Sequence, residues 1–201
     1  MTKRIVLLLL TEEWADWEAS YALPNLNSEE SGYVVKTISV DTEPKASIGG
    51  IRAHIDTTLS DYEAFAQTAL LIIPGGFYWK TDIPEHQEVV RFIQKIHQLD
   101  IPVAAVCGAT LFLARHGFLN TVQHTGDTFS YFQKEEPAYQ GHNYFREAQV
   151  VVDQGFITAN ETAAVDFAQA LYLLLKIDSE TEITKWHTYF SKGLFPSGTK
   201  D

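Results

Sequence analysis

The sequence predicts an α/β fold in which a mostly parallel central sheet lies between two layers of helices. Four short aliphatic runs, at residues 5–10, 33–40, 70–73 and 103–106, are nearly continuous in hydrophobicity. Strands that are buried on both faces have this pattern, and segments with helical periodicity alternate with them. The only cysteine, Cys107, stands where the last of these runs gives way to a helix, as in a nucleophile elbow.

The first half of the chain is predicted to contain two helices and a hairpin. Residues 16–27 follow the first strand and form the first helix. Residues 85–99 form the clearest helix, because apolar side chains recur at three- and four-residue spacing on one face. These side chains are Val89, Phe92, Ile93 and Ile96. Turn residues between β-prone flanks predict a hairpin at residues 47–54.

The second half has clear signals for helix ends. The helix predicted at residues 108–116 stops at Gly117, which suits a left-handed C-cap. A second hairpin is predicted at residues 149–158. The stretch Asn160-Glu-Thr162 supplies capping residues for a long apolar helix at residues 162–177.

The length of 201 residues favours one domain with one core. We place this domain at residues 1–178. Residues 179–201 are predicted to form a C-terminal helix, at residues 180–195, and a tail that pack on the same domain.

Charge and hydropathy exclude several classes of partner. Acidic residues outnumber Lys and Arg by 26 to 15, and the net charge of -11 repels phosphate backbones and anionic lipid. The apolar run at residues 5–10 is too short for a signal peptide and lacks a cleavage site, so a strand is the better interpretation. A single cysteine forms no intrachain disulfide. We therefore expect a cytoplasmic protein with no nucleic-acid or membrane partner.

Cys107 is the first candidate for chemistry. Unpaired N–H groups and the helix dipole favour a thiolate at a helix N-terminus, so we expect the thiol pKa to be lowered. The alternative is an inert, buried cysteine, because free cysteines are among the most buried residues.

The glycines of Pro74-Gly-Gly76 are the second candidate, since exposed amides at the end of a strand can donate to an oxyanion. The carboxyl ends of parallel strands lie side by side, so Gly76 and Gly108 are expected to point N–H groups into one pocket with the thiol. The alternative is a simple tight turn.

Acidic residues follow the first strand in Trp14-Ala-Asp16-Trp17-Glu18. A carboxyl between indoles is partly desolvated and can keep its proton near neutral pH, which would make it a hydrogen-bond donor to a thiolate or a general acid and base. The alternative is a charge at a helix N-terminus with the tryptophans in the core.

Among the histidines, His124 follows the helix after the cysteine at a distance that lets the chain return to the same end of the sheet. Four histidines on predicted helices are expected at the surface: His86, His97, His116 and His187. The pattern does not decide His54 and His142. No spacing of histidines, cysteines or paired carboxylates indicates a metal, so we expect neither metal nor cofactor.

Together these residues resemble the ThiJ/PfpI family of the class I glutamine amidotransferase-like group, which includes the Parkinsonism-associated deglycase. The matching motifs are the strand ending at Leu10 with Glu18, Ile72-Ile-Pro-Gly-Gly76, Ala104-Ala-Val-Cys-Gly-Ala-Thr110 and His124. The resemblance covers roughly residues 3–177 and implies a flavodoxin-like three-layer sandwich. Residues 186–190 resemble an extra helix of a bacterial subgroup labelled amidases or intracellular proteases.

The resemblance implies a role for each motif residue. Cys107 would be the nucleophile, Glu18 the protonated carboxyl that hydrogen-bonds its sulfur, and His124 the nearby base. Gly76 and Gly108 would supply the oxyanion amides. Because family members commonly pair, a homodimer is expected.

Two departures from the family patterns bear on activity. The protease-like branch has a histidine directly after the cysteine, where this chain has Gly108. Glutamine amidotransferases have a downstream His-x-Glu, whereas the downstream segments here are His142-Asn-Tyr144 and His187-Thr-Tyr189. His86-Gln-Glu88 has the right letters but precedes the cysteine.

Three functions stay open at this point. The first is a cysteine-dependent enzyme, hydrolase or lyase, that acts on small reactive carbonyls in the glyoxalase or deglycase manner through a Cys107 thiolate. The second is an amidase or cysteine peptidase that uses Cys107 with His124. The third is a redox-sensing or stress-protective protein without catalysis. Loops at residues 77–81 and 127–144 are expected to form the pocket walls.

Overall fold

The computed structural model describes residues 2–193, in which nine strands and seven α-helices follow one another. The strands are β1 (Arg4–Leu9), β2 (Tyr33–Ser39), β3 (Lys45–Ala46), β4 (Arg52–Ala53), β5 (Thr57–Thr58), β6 (Thr68–Ile73), β7 (Val103–Val106), β8 (Val150–Asp153) and β9 (Phe156–Ala159). The helices are α1 (Asp16–Ala19), α2 (Ala22–Leu26), α3 (His86–Gln98), α4 (Gly108–Arg115), α5 (Phe129–Glu135), α6 (Ala164–Leu175) and α7 (Glu180–Lys192).

The main sheet has seven strands in the order β5-β2-β1-β6-β7-β9-β8. Every neighbouring pair is parallel except β8 and β9, which form an antiparallel hairpin at one edge. When the five long parallel strands are numbered alone, their order is 2-1-3-4-5, which is the flavodoxin-like order. The predicted α/β fold with a mostly parallel sheet is therefore confirmed.

The core is divided by the sheet into two apolar layers, as β1 illustrates. Leu7 and Leu9 belong to the layer that contains the apolar faces of α3 and α4. Val6, Leu8 and Leu10 point to the other side, into the layer formed with α1, α2 and α6. Both faces of the strand are buried, and this is the reason for its unbroken hydrophobicity.

The four predicted strands are confirmed, with shifts of two residues or fewer at their ends. Both hairpins also form: β3 pairs antiparallel with β4, two residues earlier than predicted, and β9 joins the main sheet beside β7. The two-residue strand β5 and the short helix α5 have no counterpart in the sequence-based prediction.

The single helix predicted at residues 16–27 is wrong, because the chain forms α1 and α2 with a break at Ser20 and Tyr21. The Ser20 hydroxyl donates to the carbonyl of Asp16 at 2.9 Å, which competes with the helix ladder. Pro24 has no N–H to donate to the Ser20 carbonyl, so a continuous helix would lack that bond.

The last two helices are shorter than expected. Asn160 does not cap α6; its side chain accepts from the Thr162 N–H at 3.0 Å in a turn that precedes the helix. Helix α7 ends at Gly193, which has a φ of 64°, so it stops before the predicted end at residue 195. Residues 194–201, including the predicted tail, lie outside the described part.

Helix α7 packs on α6 through aromatic side chains. The rings of Trp186 and Tyr172 meet edge to face, with centroids 4.8 Å apart. No helix within residues 2–193 is both long and apolar enough to cross a membrane.

Candidate active site

Cys107 occupies a strained turn between β7 and α4. Its φ of 52° and ψ of -124° are rare for a residue with a side chain. The turn is fixed on both sides, since the Cys107 N–H donates to the Ala159 carbonyl at 2.9 Å and the Thr110 hydroxyl donates to the Cys107 carbonyl at 2.6 Å. The predicted nucleophile elbow is therefore present.

Glu18 lies beneath the thiol and is fully buried. One carboxyl oxygen, Oε2, accepts from the Gly75 N–H at 2.5 Å, while Oε1 is buried without a hydrogen-bond partner. Burial raises the pKa of Glu18 to about 8; the Gly75 and Cys107 contacts lower it, and the charges of Asp127 and Glu161 raise it further. The carboxyl therefore keeps its proton at neutral pH.

The two glycines expected to supply oxyanion amides line the cleft that contains the cysteine. Gly76 has a φ of 141° and lies opposite Trp14 in an isolated antiparallel β-bridge. Neighbouring residues make its two hydrogen bonds: the Ala15 N–H donates to the Gly75 carbonyl at 3.0 Å, and the Phe77 N–H donates to the Glu13 carbonyl at 3.2 Å. At such a position the residue's own N–H and C=O point away from the partner strand.

The carbonyl oxygen of Gly76 lies beside Gly108. A Cβ built on Gly108 would lie 3.2 Å from the Gly76 carbonyl oxygen, so the two backbones are in close contact. The Gly108 N–H faces the sulfur of Cys107. Both glycines line the same cleft as the thiol.

The prediction that the pKa of the Cys107 thiol is lowered is wrong, because the structure raises it. Burial raises the pKa of Cys107, and the nearby carboxyls of Glu18 and Asp127 raise it further. The Gly108 N–H acts in the opposite direction but does not compensate. Because Glu18 is uncharged at neutral pH, burial and Asp127 are the causes that act there. The sulfur keeps its proton until a base removes it.

The carboxylate that contacts the thiol belongs to a residue that the sequence did not single out. The Cys107 thiol donates to Oδ2 of Asp127 at 3.5 Å. Burial raises the pKa of Asp127, which strengthens the carboxylate as a proton acceptor. Asp127 lies at the start of the loop expected to form a pocket wall, but no motif distinguishes it from other acidic residues.

His124 does not line the cleft, contrary to the expectation that it is the base near the sulfur. The residue is fully buried, with Nδ1 against the Val122 carbonyl at 2.6 Å and Nε2 against the Tyr139 hydroxyl. Burial lowers the pKa of His124, so the ring is neutral. Both ring nitrogens are engaged, and neither is directed at Cys107.

His124 instead fixes the chain that leads to Asp127. Its N–H donates to the Tyr144 carbonyl at 3.1 Å, and its carbonyl accepts from the Arg146 N–H at 2.8 Å. One residue further on, the Thr125 N–H donates to the Thr158 hydroxyl at 2.9 Å.

The remaining histidines follow the surface prediction only in part. His97 is exposed, and His187 is half-buried with Nε2 3.0 Å from Oδ1 of Asp166. His86 is fully buried, and His116 is mostly buried. For His86 the prediction is wrong, because the aromatic rings of neighbouring segments cover the start of α3.

The cleft above the sulfur has a volume of about 490 Å³. Its walls are mainly apolar and come from Trp17, Phe77, Trp79, Leu111 and Tyr131. The cleft is also lined by the carboxyls of buried Glu18, of Asp127 and of exposed Glu161, which lie near Cys107. Such a cleft has room for a small organic substrate but surrounds the reacting atom with acidic groups.

The elbow, the buried carboxyl and the Pro-Gly-Gly turn together fit one known family. A sequence profile of the DJ-1/PfpI family matches residues 3–173, most of the chain. The chain belongs to the DJ-1/PfpI family. The resemblance to ThiJ/PfpI proteins found in the motifs is thereby confirmed.

Among DJ-1/PfpI relatives, the chain is similar to two Bacillus subtilis proteins. It is 35% identical to the uncharacterized protease YdeA, covering 89% of this chain and 87% of that protein. It is 30% identical to the uncharacterized protease YoaZ, covering 93% and 90%. Among solved structures it is similar to a thiJ/pfpI family protein from Bacillus anthracis, with a TM-score of 0.89, 26% identity and coverage of 96% and 93%.

In this DJ-1/PfpI protein the groups around the sulfur can also be considered as metal ligands. One ligand atom each of Cys107, Asp127 and Glu161 lies within 4.8 Å of the others. Within this group the Cys107 thiol already donates to Asp127. The arrangement therefore holds a thiol within proton-transfer reach of a carboxylate.

Proposed function

We propose that this protein acts on small reactive carbonyl compounds, in the glyoxalase or deglycase manner, through the sulfur of Cys107. The proposal rests on one juxtaposition. The thiol shares a cleft with a protonated carboxyl, Glu18, with a carboxylate that accepts its proton, Asp127, and with the amides of Gly76 and Gly108. A thiol that adds to an aldehyde needs these groups and no more.

The first step joins sulfur to the aldehyde carbon. Asp127 takes the thiol proton while the sulfur attacks, and the π electrons of the carbonyl move to its oxygen. In this proposal the N–H groups of Gly76 and Gly108, which line the cleft, stabilise the alkoxide that develops. The proton returns from Asp127 to this oxygen, which gives a neutral hemithioacetal.

An α-oxoaldehyde such as methylglyoxal can then react further without an outside oxidant. Asp127 removes the proton from the carbon bonded to sulfur, which gives an enediolate, and returns it to the neighbouring carbon. The hydroxyl proton of the hemithioacetal passes to the former ketone oxygen. The first carbon is thereby oxidised to a thioester and the second is reduced from ketone to alcohol, so protons and electrons balance within the substrate. Water then hydrolyses the thioester, releasing a hydroxy acid and the free thiol.

Glu18 keeps its proton throughout and donates a hydrogen bond towards the sulfur. An ionised carboxylate at this position would repel the developing thiolate. The raised pKa of Glu18, about 8, therefore suits a thiol that must carry negative charge during attack.

The decisive experiment is incubation of the purified protein with methylglyoxal in the absence of glutathione. We expect lactate to form with wild-type protein and not with Cys107→Ala. Asp127→Asn is the second variant, because it keeps the sulfur and removes the base. No lactate with wild-type protein, or equal turnover by Cys107→Ala, would refute the proposal.

A peptidase or amidase is the second candidate, since the two similar Bacillus subtilis proteins are named proteases. The cleft argues against it, because no histidine is among the described residues that line it. His124, the histidine expected to act with Cys107 in amide hydrolysis, instead contacts Val122 and Tyr139. Cleavage of a fluorogenic peptide library by wild type and not by Cys107→Ala would favour this candidate over carbonyl chemistry.

A further inference from the structure

Three side chains of metal-binding types, Asp82, His86 and His116, lie close together outside the set of residues that line the cleft. Oδ1 of Asp82 lies 3.3 Å from Nδ1 of His86 and 3.7 Å from Nε2 of His116. One ligand atom of each residue lies within 4.8 Å of the other two. His86 begins α3 and His116 follows α4, so the three residues join separate segments.

The buried nitrogens of this cluster lack well-formed hydrogen bonds. His86 is fully buried, and although the Asp82 carboxylate and the Tyr78 backbone lie beside its ring, neither contact has the geometry of a good hydrogen bond. Nε2 of His116 is buried and unpartnered as well. Buried polar atoms in proteins are almost always satisfied, so two unpartnered nitrogens facing one carboxylate indicate a missing partner.

The cluster combines two imidazoles with one carboxylate. Each imidazole ring has a nitrogen that can offer a lone pair to a cation. Asp82 supplies the negative charge, and its side chain is 56% exposed. A ligand bound between them could therefore reach solvent on the Asp82 side.

We propose that Asp82, His86 and His116 bind a divalent transition-metal ion of the zinc class. Zinc takes imidazole nitrogen and carboxylate oxygen at about 2.0–2.2 Å in a tetrahedron, which separates the ligand atoms by roughly 3.3–3.6 Å. The two distances from Asp82 approximate this spacing. Two imidazoles disfavour Mg²⁺ and Ca²⁺, which prefer oxygen ligands.

The ion would brace the wall of the cleft. The His86 ring packs against Trp79, with centroids 5.5 Å apart, and Trp79 lines the cleft. The Trp79 carbonyl also accepts from Nη1 of Arg115 at 3.1 Å, next to His116. A metal here would link residues 77–82 to the C-terminal end of α4. Cys107 directly precedes the N-terminal end of the same helix. This site is independent of the proposed carbonyl activity.

The test is zinc titration of the full chain, stripped with chelator, by isothermal titration calorimetry. We expect one zinc ion per chain and a rise in the unfolding temperature with zinc. Asp82→Asn and His116→Gln each remove one ligand and should weaken binding at least about tenfold. The matched controls are Glu85→Gln, directly before α3, and His97→Gln, on α3; both residues are exposed, and both variants should bind as wild type does.

Cobalt distinguishes this cluster from the thiol site. Bound Co²⁺ should give a tetrahedral visible spectrum without thiolate charge transfer, and Cys107→Ser should leave it unchanged. The assignment is overturned if wild-type protein binds no zinc. It is also overturned if binding survives in both ligand variants, or if the cobalt spectrum is lost in Cys107→Ser.

Discussion

The thiol of Cys107 and the carboxyl of Glu18 meet across Gly75, which has room for nothing larger than a hydrogen atom. A Cβ on Gly75 would lie 2.8 Å from the Cys107 Cβ and 2.9 Å from Oε1 of Glu18. Its N–H also donates to the same carboxyl. The glycine thus permits the contact and orients it, which explains why the strand end carries this residue.

Gly75→Ala should separate the two groups. The added methyl meets a buried Cβ and a buried carboxyl, so we expect a loss of about 1–3 kcal/mol in the free energy of unfolding. Carbonyl turnover should fall by at least about tenfold, because a small displacement of a reacting group is costly. Urea denaturation and the methylglyoxal assay measure both effects. Wild-type stability together with wild-type turnover would contradict the close approach.

Glu18→Gln should alter how stability depends on pH. The Glu18 carboxyl has a pKa of about 8 in the folded state and 4.5 in the unfolded state. Between these values the unfolded state releases the proton that the folded state retains, so wild type loses about 1.4 kcal/mol of stability per pH unit. The loss begins above the unfolded pKa and is complete above the folded pKa.

The measurement is the unfolding free energy of wild type minus that of Glu18→Gln at several pH values. This difference should fall by about 4 kcal/mol between about pH 5 and pH 8. Glu161→Gln, which neutralises an exposed carboxyl on the same cleft, is the control and should not reproduce the slope. Parallel curves for wild type and Glu18→Gln would show that the carboxyl is ionised in the folded protein.

Asp127→Asn should separate thiol acidity from turnover. Its carboxylate raises the pKa of Cys107, so removing it should move alkylation of the thiol by iodoacetamide to lower pH. Turnover should nevertheless fall about 100-fold, because the proton acceptor is lost. A more reactive thiol that turns over less substrate identifies Asp127 as the base. Unchanged turnover would refute this role.

His124→Phe should affect stability more than chemistry. It removes the contacts with the Val122 carbonyl and the Tyr139 hydroxyl and leaves buried groups unpaired, at a cost of about 1–3 kcal/mol. The pH profile of turnover should keep its shape, because no titrating base is lost. Tyr139→Phe removes only one of these contacts and is the milder comparison. If turnover no longer declined at low pH in His124→Phe, while it still did so in Tyr139→Phe, His124 would be identified as the base.

Most of the sheet was predictable because complete burial leaves a pattern in the sequence. Both faces of β1, β6 and β7 contact helices, so polar residues are excluded and the runs are unbroken. Strand β5 has two threonines at a sheet edge, where burial imposes no such pattern. The break between α1 and α2 depends on one serine hydroxyl and one proline. The spacing of apolar residues, from which the helix was predicted, does not reveal such a break.

The candidate site was predictable where it follows the ends of strands. Cys107, Gly76 and Gly108 come directly after β6 and β7, and parallel strands bring their ends together. Glu18 lies nine residues beyond β1, and its place followed from the family resemblance. Asp127 was missed because a loop held by contacts from distant residues, such as Thr158, delivers it to the sulfur.

The sequence by itself determined the parallel sheet, the cysteine elbow and the net negative charge. These features depend on which residue types occur in short segments and on how many acidic and basic residues the chain has. Tertiary structure decided which groups surround the sulfur: it placed Asp127 there, buried His124 elsewhere and joined Asp82, His86 and His116. These contacts link segments far apart in the chain, and the proton affinities they create depend on burial that local sequence does not encode.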